Sequence, residues 1–252
     1  METTDLKDFQ KRLADKVGQV LVKHREEVTD FLDPFLLNVA FKYLVKIPDI
    51  KFASFGGSKD TERRRIVICP EYLEPEFNMA KITILELTGN IDYIKINHGD
   101  CLGSLLGQGL KREKVGDIYP TERGFIAILS NEVAQFILVH PPQLKGLSLT
   151  PQILEADNWQ PPFKPGKTIK TSVASLRLDA LVASGFGLSR TKVIGDIKGG
   201  KVKVNWQEIN NISFQCKEKD VISFRGQGRV VIAQIGGETR KGRIAVELLR
   251  FK

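Results

Sequence analysis

Near the start of the chain, apolar residues recur at every third or fourth position, which predicts an amphipathic helix over about residues 4–26. These positions are Leu6, Phe9, Leu13, Val17, Val20 and Leu21. Asp33-Pro34 then has the form of a second helix start, a capping residue followed by proline at the first helical position. Pro48 ends the pattern. We therefore predict an N-terminal helical segment over residues 1–48.

After Ile50 the period of the apolar positions shortens to two, which indicates β-strands. The predicted strands are residues 51–55, 64–69, 81–87, 124–129 and 147–154, and helices are predicted to start at His98 and Asn131. The stretch from Arg112 to Asp117 is predicted to be a loop. Strands and two helices in this order are typical of a ferredoxin-like α/β sandwich, which we predict for residues 49–158.

The last third of the chain has a pattern of its own. Two short helices are predicted, separated by Gly185-Phe186-Gly187, and Ser189 is placed to cap the second. Strand-like alternation follows in Lys201–Val204 and returns near Val221. We predict a small domain of two helices and an antiparallel sheet, with a C-terminal β-hairpin, over residues 171–252. The predicted fold class of the whole chain is α+β.

A proline-rich stretch, Trp159-Gln160-Pro161-Pro162-Phe163-Lys164-Pro165-Gly166, lies between the two parts, and we predict a linker over residues 159–170. The charge changes sign at the same place. Residues 1–162 contain 20 Lys and Arg against 23 Asp and Glu, a net charge of −3, whereas residues 163–252 contain 18 against 7, a net charge of +11. This asymmetry favours a nucleic acid or an anionic membrane surface as partner, and a solvated lysine-rich surface is the alternative.

Several classes of protein are disfavoured by the composition. The three cysteines are far apart and form no metal-binding or disulfide pattern, which fits a reducing, intracellular compartment. The N-terminus lacks the apolar core of a signal peptide, and no apolar run approaches about 18 residues, so we expect a soluble protein. No glycine-rich nucleotide-binding loop opens a helix. We expect no metal and no cofactor.

Two cations open the second short helix of the basic region, in Ser189-Arg190-Thr191-Lys192. The helix macrodipole favours anions at this end, so cations there cost local stability unless they have an anionic partner. Free N–H groups at a helix start are a binding site for phosphate. We therefore predict that Arg190 contacts phosphate, and a solvated cation is the alternative.

Four short motifs of the basic region occur in a recognisable order. They are Arg177-Leu178-Asp179-Ala180-Leu181, Ser189-Arg190, Gly200-Lys201-Val202-Lys203-Val204-Asn205 and Asp220-Val221-Ile222-Ser223. In this order and spacing they resemble the S4 RNA-binding domain. The S4 family usually has glycine where this chain has Trp206 and Lys219. Trp206 is placed either to stack on an unpaired base or to cover the hairpin, and the sequence leaves both open.

The resemblance and the positions of the cations predict one RNA-binding set in this region. The set is Arg177, Ser189, Arg190, Thr191, Lys192, Lys201, Lys203, Asn205, Arg225 and Arg229. Four of these cations follow Lys192, namely Lys201, Lys203, Arg225 and Arg229. For each of them, exposure to solvent at the edge of the surface is nearly as well supported as a phosphate contact.

Further motifs lie upstream of the basic region. They are Gly56-Gly57 followed by Glu62-Arg63, His98-x-Asp100-x-Leu102-Gly103, and Arg112-Glu113-x-x-Gly116-Asp117-Ile118. Together with the S4-like region they resemble the YlmH family, called photosystem II S4 domain protein in cyanobacteria and plastids, over about residues 30–250. The family commonly has arginine where this chain has Gly99. An RNA contact assigned to that position is therefore lost or moved.

The family resemblance implies a non-enzymatic RNA-binding factor that associates with the ribosome, in translation or ribosome-associated quality control. Its implied partners are ribosomal RNA and tRNA on the large ribosomal subunit, without integral membrane association. We expect a monomer in the cytoplasm of a bacterium or cyanobacterium, or in the plastid stroma of a plant or alga. The alternatives are an RNA-modifying enzyme of the pseudouridine synthase type and a photosystem II assembly factor.

The front region offers weaker candidates for function. Secondary RNA contacts are predicted at Arg63, Lys111, Arg112 and Lys114. His98 and Asp100 are candidates for acid–base chemistry. Asp100 is also placed to cap a helix, and no nucleophile accompanies the pair in a recognised order. We therefore favour a structural role for both.

Overall fold

A computed structural model of the protein describes residues 3–91, 94–156, 159–162 and 166–251. The chain divides into two compact units, Glu2–Pro162 and Phe163–Lys252. The predicted linker, residues 159–170, spans this division, and its residues 163–165 lie outside the described residues. Its predicted end at residue 170 is wrong, because a strand paired in the sheet of the second unit begins at Lys167.

The first unit begins with two helices packed on a small antiparallel sheet of order β1-β3-β2. Its elements are α1 (Thr3–Lys23), β1 (Glu27–Val28), α2 (Pro34–Leu44), β2 (Ile50–Phe55) and β3 (Arg65–Pro70). As predicted, Asp33 caps α2, its carboxylate accepting a hydrogen bond from the Leu36 amide at 2.9 Å. Buried residues of α1 and α2 share one core with Ile66 and Ile68 of β3. The division predicted between residues 48 and 49 therefore does not separate two cores.

A second, four-stranded antiparallel sheet follows in the same unit. Its elements and neighbours are β4 (Ile82–Thr88), α3 (His98–Leu106), β5 (Val115–Thr121), β6 (Gly124–Ser130), α4 (Asn131–Val139), the short pair β7 (Gln143–Leu144) and β8 (Leu147–Ser148), and β9 (Thr150–Leu154). The four strands lie side by side in the order β5-β6-β4-β9. Along the chain, α3 follows β4 and α4 follows β6, and this combination is the ferredoxin-like topology. This confirms the predicted fold class.

Both faces of the four-stranded sheet are covered. On one face Leu85 and Leu129 pack against α3 and α4, and on the other Ile84 and Ile128 pack against Phe31, which precedes α2. The helical N-terminal part therefore lies against the sheet face that the two helices leave open.

The stretch predicted as a loop from Arg112 to Asp117 is wrong from Val115 onward, where β5 begins. The error has a physical cause. The register of β5 against β6 shifts between Val115 and Ile118, so the alternation that marks a strand is interrupted. Gly116 lies in this irregularity, and a Cβ there would be 2.9 Å from the Phe31 ring and 3.1 Å from the Ile128 carbonyl oxygen. Glycine at this position permits a close approach rather than a loop.

The second unit packs two helices on a six-stranded antiparallel sheet. Its elements are β10 (Lys167–Val173), α5 (Leu178–Phe186), α6 (Arg190–Lys198), β11 (Val202–Val204), β12 (Gln207–Glu208), β13 (Val221–Phe224), β14 (Gly228–Glu238) and β15 (Ile244–Phe251). The strand order is β10-β15-β14-β13-β11-β12. Alternate strand residues, among them Val202, Ile222 and Val230, share the core with both helices. The predicted two helices, sheet and C-terminal hairpin are confirmed.

Candidate nucleic-acid interface

The start of α6 has the geometry that the sequence predicts. Ser189 is the N-cap, and its hydroxyl oxygen accepts a hydrogen bond from the Lys192 amide at 3.4 Å. Arg190, Thr191 and Lys192 are exposed, and the first turn contains no acidic residue. The cations therefore lie at the end of the helix where the macrodipole attracts anions.

Arg190 is neither isolated nor simply solvated, because it forms an ion pair with Asp179. The Arg190 guanidinium donates to the Asp179 carboxylate at 2.7 Å, and Arg177 Nε donates to the other carboxylate oxygen at 3.0 Å. The Asp179 side chain is 2 % exposed, whereas those of Arg177 and Arg190 are 34 % and 54 % exposed. One buried carboxylate thus fixes two surface guanidinium groups beside each other.

Electrostatics favour the ionised form of Asp179. Burial acts to raise its pKa, but hydrogen bonds from Arg177 and Arg190, together with their charges, hold the pKa of Asp179 below its ordinary value. The three groups carry a net charge of +1. We call this set, Arg177, Asp179 and Arg190 with the α6 start, the helix-side group.

Asp179 is the member of the helix-side group that sequence reasoning missed. In the sequence it stands only as one member of the S4-like motif Arg177-Leu178-Asp179-Ala180-Leu181. Its one signal is position, in the first turn of α5, two residues after an arginine and surrounded by the apolar Leu178, Ala180 and Leu181. A carboxylate in such a run needs a cationic partner when it is buried.

Lys203 and Arg229 lie on the other face of the six-stranded sheet. Val202 and Val204 on β11, and Val230 on β14, point into the core, so by alternation Lys203 and Arg229 point away from the helices. Lys203 is paired with Ser223, and Ser223 with Arg229, in one cross-strand row. We call Lys203, Trp206 and Arg229 the sheet-side group. The structure therefore divides the predicted RNA-binding set between two faces.

The remaining members of the predicted set have structural contacts. Asn205 ties the hairpin to β13, its amide donating to Asp220 at 2.8 Å and its carbonyl oxygen accepting from the Val221 amide at 2.9 Å. Lys201 is paired with Asp196 at 2.8 Å. The Arg225 amide donates to the Lys201 carbonyl at 2.9 Å, which places these two exposed residues side by side just before β11 begins.

The candidates in the first unit are mainly engaged within the fold. Arg63 donates to the carbonyl oxygens of Val115 at 3.1 Å and Phe31 at 2.7 Å, and Arg112 also donates to the Val115 carbonyl. Burial, followed by the charge of Arg63, lowers the pKa of Arg112 to about 10. These contacts give Arg63 and Arg112 a structural role.

The two lysines of this set differ from each other. Lys114 bridges the carboxylates of Asp30 at 2.8 Å and Glu132 at 2.7 Å, so it links the N-terminal part to α4. Lys111 is exposed. Of the four predicted secondary contacts, only Lys111 has the placement of a surface cation within the part of the chain that the structure describes.

Asp100 has a structural role, although not the one predicted. The N-cap of α3 is Asn97, and Asp100 completes a capping box by accepting a hydrogen bond from the Asn97 amide at 3.0 Å. The carboxylate is also paired with Lys145 at 3.1 Å. No group of three or more metal-ligating side chains is found among the described residues. No helix in the described ranges is long and apolar enough to span a membrane.

Comparison with known proteins assigns three consecutive segments of the chain. Residues 5–73 match the N-terminal domain of YlmH, residues 75–155 match a domain described as "Putative RNA-binding domain in YlmH", and residues 176–222 match the S4 domain. The first two matches meet near residue 74, after β3, where the structure also changes from one sheet to the next.

A relative and a solved structure extend the comparison. The chain is 32% identical over 230 residues to the ribosome-associated protein quality control protein P2 of Bacillus subtilis, covering 91% of this chain and 89% of that protein. The structure of the cell division protein ylmH from Streptococcus pneumoniae covers 62% of this chain and 93% of its own, with a TM-score of 0.51 and 19% identity, which supports the fold alone. With an S4 domain behind two YlmH-specific domains, and with this relative aligned over nearly its whole length, the chain belongs to the YlmH family.

Proposed function

We propose that this protein is a non-enzymatic RNA-binding factor of the ribosome, which contacts ribosomal RNA and tRNA on the large subunit. One observation carries the proposal: a buried carboxylate, Asp179, holds Arg177 and Arg190 side by side at the starts of two helices. The named role of the B. subtilis relative, ribosome-associated quality control, supports the setting. A ribosome-bound factor of this kind acts in the cytoplasm, and we infer that location.

The helix-side group is suited to phosphate. Guanidinium groups offer several donors in a fixed plane, and a carboxylate that uses some of them leaves the rest oriented toward solvent. Lys192 is exposed in the first turn of the same helix. Residues 163–252 have a net charge of +11, so the surrounding field also favours a polyanion. Contacts to phosphate give affinity without reading sequence, which is the behaviour expected of a factor placed on a large folded RNA.

The proposal that the protein is not an enzyme is supported by the contacts of Asp100, one of the two candidates for acid–base chemistry. The Asp100 carboxylate is engaged by the Asn97 amide and by Lys145, which supports a helix-stabilising role over acid–base chemistry. A direct check is incubation of the protein with ribosomal RNA and tRNA followed by mass mapping. We expect unmodified RNA, and a new protein-dependent modification would contradict this part of the proposal.

Removal of both arginines tests the phosphate assignment. We expect Arg177→Ala/Arg190→Ala to weaken binding to ribosomal RNA fragments and to flatten the dependence of log affinity on log salt concentration. Each lost phosphate contact reduces that slope by about 0.7–0.9. The measurement is a fluorescence anisotropy titration of labelled RNA at several salt concentrations.

The matched control is Lys170→Ala/Lys217→Ala, which removes two exposed cations from the same unit and outside the predicted RNA-binding set. Because the change in net charge is the same, it separates a local contact from a loss of general attraction. The proposal fails if the folded arginine variant keeps the affinity and slope of the parent, or if the control changes them equally.

A further inference from the structure

Trp206 occupies a backbone conformation that normally favours glycine. It forms, with Asn205, the two-residue turn between β11 and β12, where Val204 is paired with Gln207. The φ angles of Asn205 and Trp206 are 49° and 66°. Two positive φ angles are characteristic of the type I′ hairpin turn, in which asparagine is tolerated first and glycine is preferred second. A bulky side chain at the second position is strained.

The packing of this unit does not account for the strained tryptophan. Trp206 is not among the described residues that form the core of the unit or pack against it, a set that does include Ile209, Ile212 and Phe214. The indole is half-buried at the surface. A strained conformation that the core does not require is a recognised mark of a functional position.

The ring packs against a neighbouring cation. The Arg229 guanidinium carbon lies 5.5 Å from the centre of the Trp206 ring, a cation–π contact. The two hydrogen bonds of Asn205, to Asp220 and Val221, fix the turn that carries the indole. A ring fixed in this way loses little conformational freedom when a planar group stacks on it.

Two cations lie on the same sheet face as the ring or next to it. Lys203, two residues before the turn, is exposed on the same sheet face as Arg229. An aromatic side chain flanked by cations is the usual site for an unpaired base with its phosphates. We propose that Trp206 stacks on an unpaired base of the bound RNA, an inference that rests on the proposed RNA-binding function.

Tryptophan fluorescence gives a direct test. The chain has two tryptophans, Trp159 and Trp206, so the Trp159→Phe variant reports on Trp206 alone. Stacking on a base quenches indole emission. We expect a single-stranded RNA oligonucleotide to quench Trp206, and a duplex of equal length at the same salt concentration to leave its emission nearly unchanged. The inference is overturned if anisotropy shows binding of the single strand while Trp206 emission stays constant.

Substitution of the ring gives an independent readout. Trp206→Gly removes the indole and suits the positive φ angle, so we expect a fold at least as stable as the parent. Affinity for the single strand should fall by about 5- to 150-fold, the range for loss of one stacked base, and affinity for the duplex should be unchanged. Trp206→Phe, which keeps a ring, should retain most of the affinity.

The outcomes also distinguish a failure of the Trp206 stacking inference from a failure of the proposed RNA-binding function. If the parent binds RNA and Trp206→Gly binds the single strand equally well, the stacking inference is wrong and the RNA-binding proposal stands. If the parent binds neither RNA at low salt, both are wrong.

Discussion

The Asp179 carboxylate lies almost fully buried between two guanidinium groups, and its charge determines how they are held. With the carboxylate ionised, Arg177 and Arg190 are drawn to one point from the starts of two different helices. With the carboxylate neutral, the same two cations repel each other and lose their common acceptor. At the scale of residues, the proposed interface therefore depends on a group that touches no RNA.

We predict that Asp179→Asn lowers the free energy of unfolding of the second unit by about 1–3 kcal/mol at pH 7, because a charged acceptor shared by two donors is lost. The measurement is urea unfolding followed by Trp206 emission in the Trp159→Phe background. Asp196→Asn is the control, because Asp196 pairs with the exposed Lys201 and its loss should cost less than about 1 kcal/mol. Equal losses in the two variants would contradict the role of Asp179.

The pH dependence of the same variant has a definite sign. The pKa of Asp179 is lower in the folded protein than its ordinary value, so its contribution to stability is complete above the unfolded pKa of about 3.9. That contribution is lost as the pH falls below about 4 and through the lower, folded pKa. The stability difference between the parent and Asp179→Asn should therefore shrink across this window and stay constant between pH 5 and 7.

The sequence was sufficient to find Arg190 and Lys192, because a capped helix start that carries cations is a local pattern. It was not sufficient to find their carboxylate partner. Asp179 and Arg190 are 11 residues apart, and the two helices must pack before the side chains meet. The same limit applies to Arg63 and Arg112, whose carbonyl acceptors lie on other segments of the fold.

Lys219, in the turn before β13, has a φ angle of 71°, which is costly for lysine and which glycine adopts freely. The S4 family usually has glycine at this position. The Lys219 amide donates to the Ile232 carbonyl at 2.7 Å, a bond that any residue with this backbone conformation keeps. At the scale of elements, the backbone hydrogen bond from Lys219 to Ile232 therefore stabilises the turn, whereas the lysine side chain at this φ angle destabilises it.

We predict that Lys219→Gly raises the free energy of unfolding of the second unit by about 0.5–1 kcal/mol, the cost of a left-handed residue less the added entropy of glycine in the unfolded chain. The check is again urea unfolding monitored by Trp206. Lys219→Ala is the matched control, since it removes the charge and keeps the strained φ angle, and it should give no gain. A gain of equal size in Lys219→Ala would attribute the effect to charge instead of strain.

Most elements were predictable because their apolar period is local and clear, as in α1, α2 and β4. β5 was missed because a register shift and Gly116 interrupt its alternation. β1 is only two residues long and exists through its pairing with β3, in which Glu27 is opposite Ile68 and Val28 is opposite Val67, and no local pattern records so distant a contact. The assignment of β2 and β3 to the N-terminal helices depends on the core that α1 and α2 share with β3, which no local pattern records either.

At the scale of the whole molecule, the charge is divided between the two units. The second unit holds the excess of cations, and its predicted RNA-binding residues lie on two faces of one sheet, the helix-side group and the sheet-side group. If both groups contact RNA as proposed, the RNA must reach two faces of one domain, which a single straight helix lying on one face does not do. A large ribonucleoprotein particle provides such a surface.

The most direct test of the account is sedimentation of the full chain with separated small and large ribosomal subunits through sucrose at low and raised salt. We predict that the parent pellets with the large subunit in a salt-sensitive manner. Arg177→Ala/Arg190→Ala should be released at a salt concentration at which Lys170→Ala/Lys217→Ala remains bound. The account is contradicted if the parent stays in the supernatant with both subunits, or if the arginine variant pellets as well as the parent at every salt concentration.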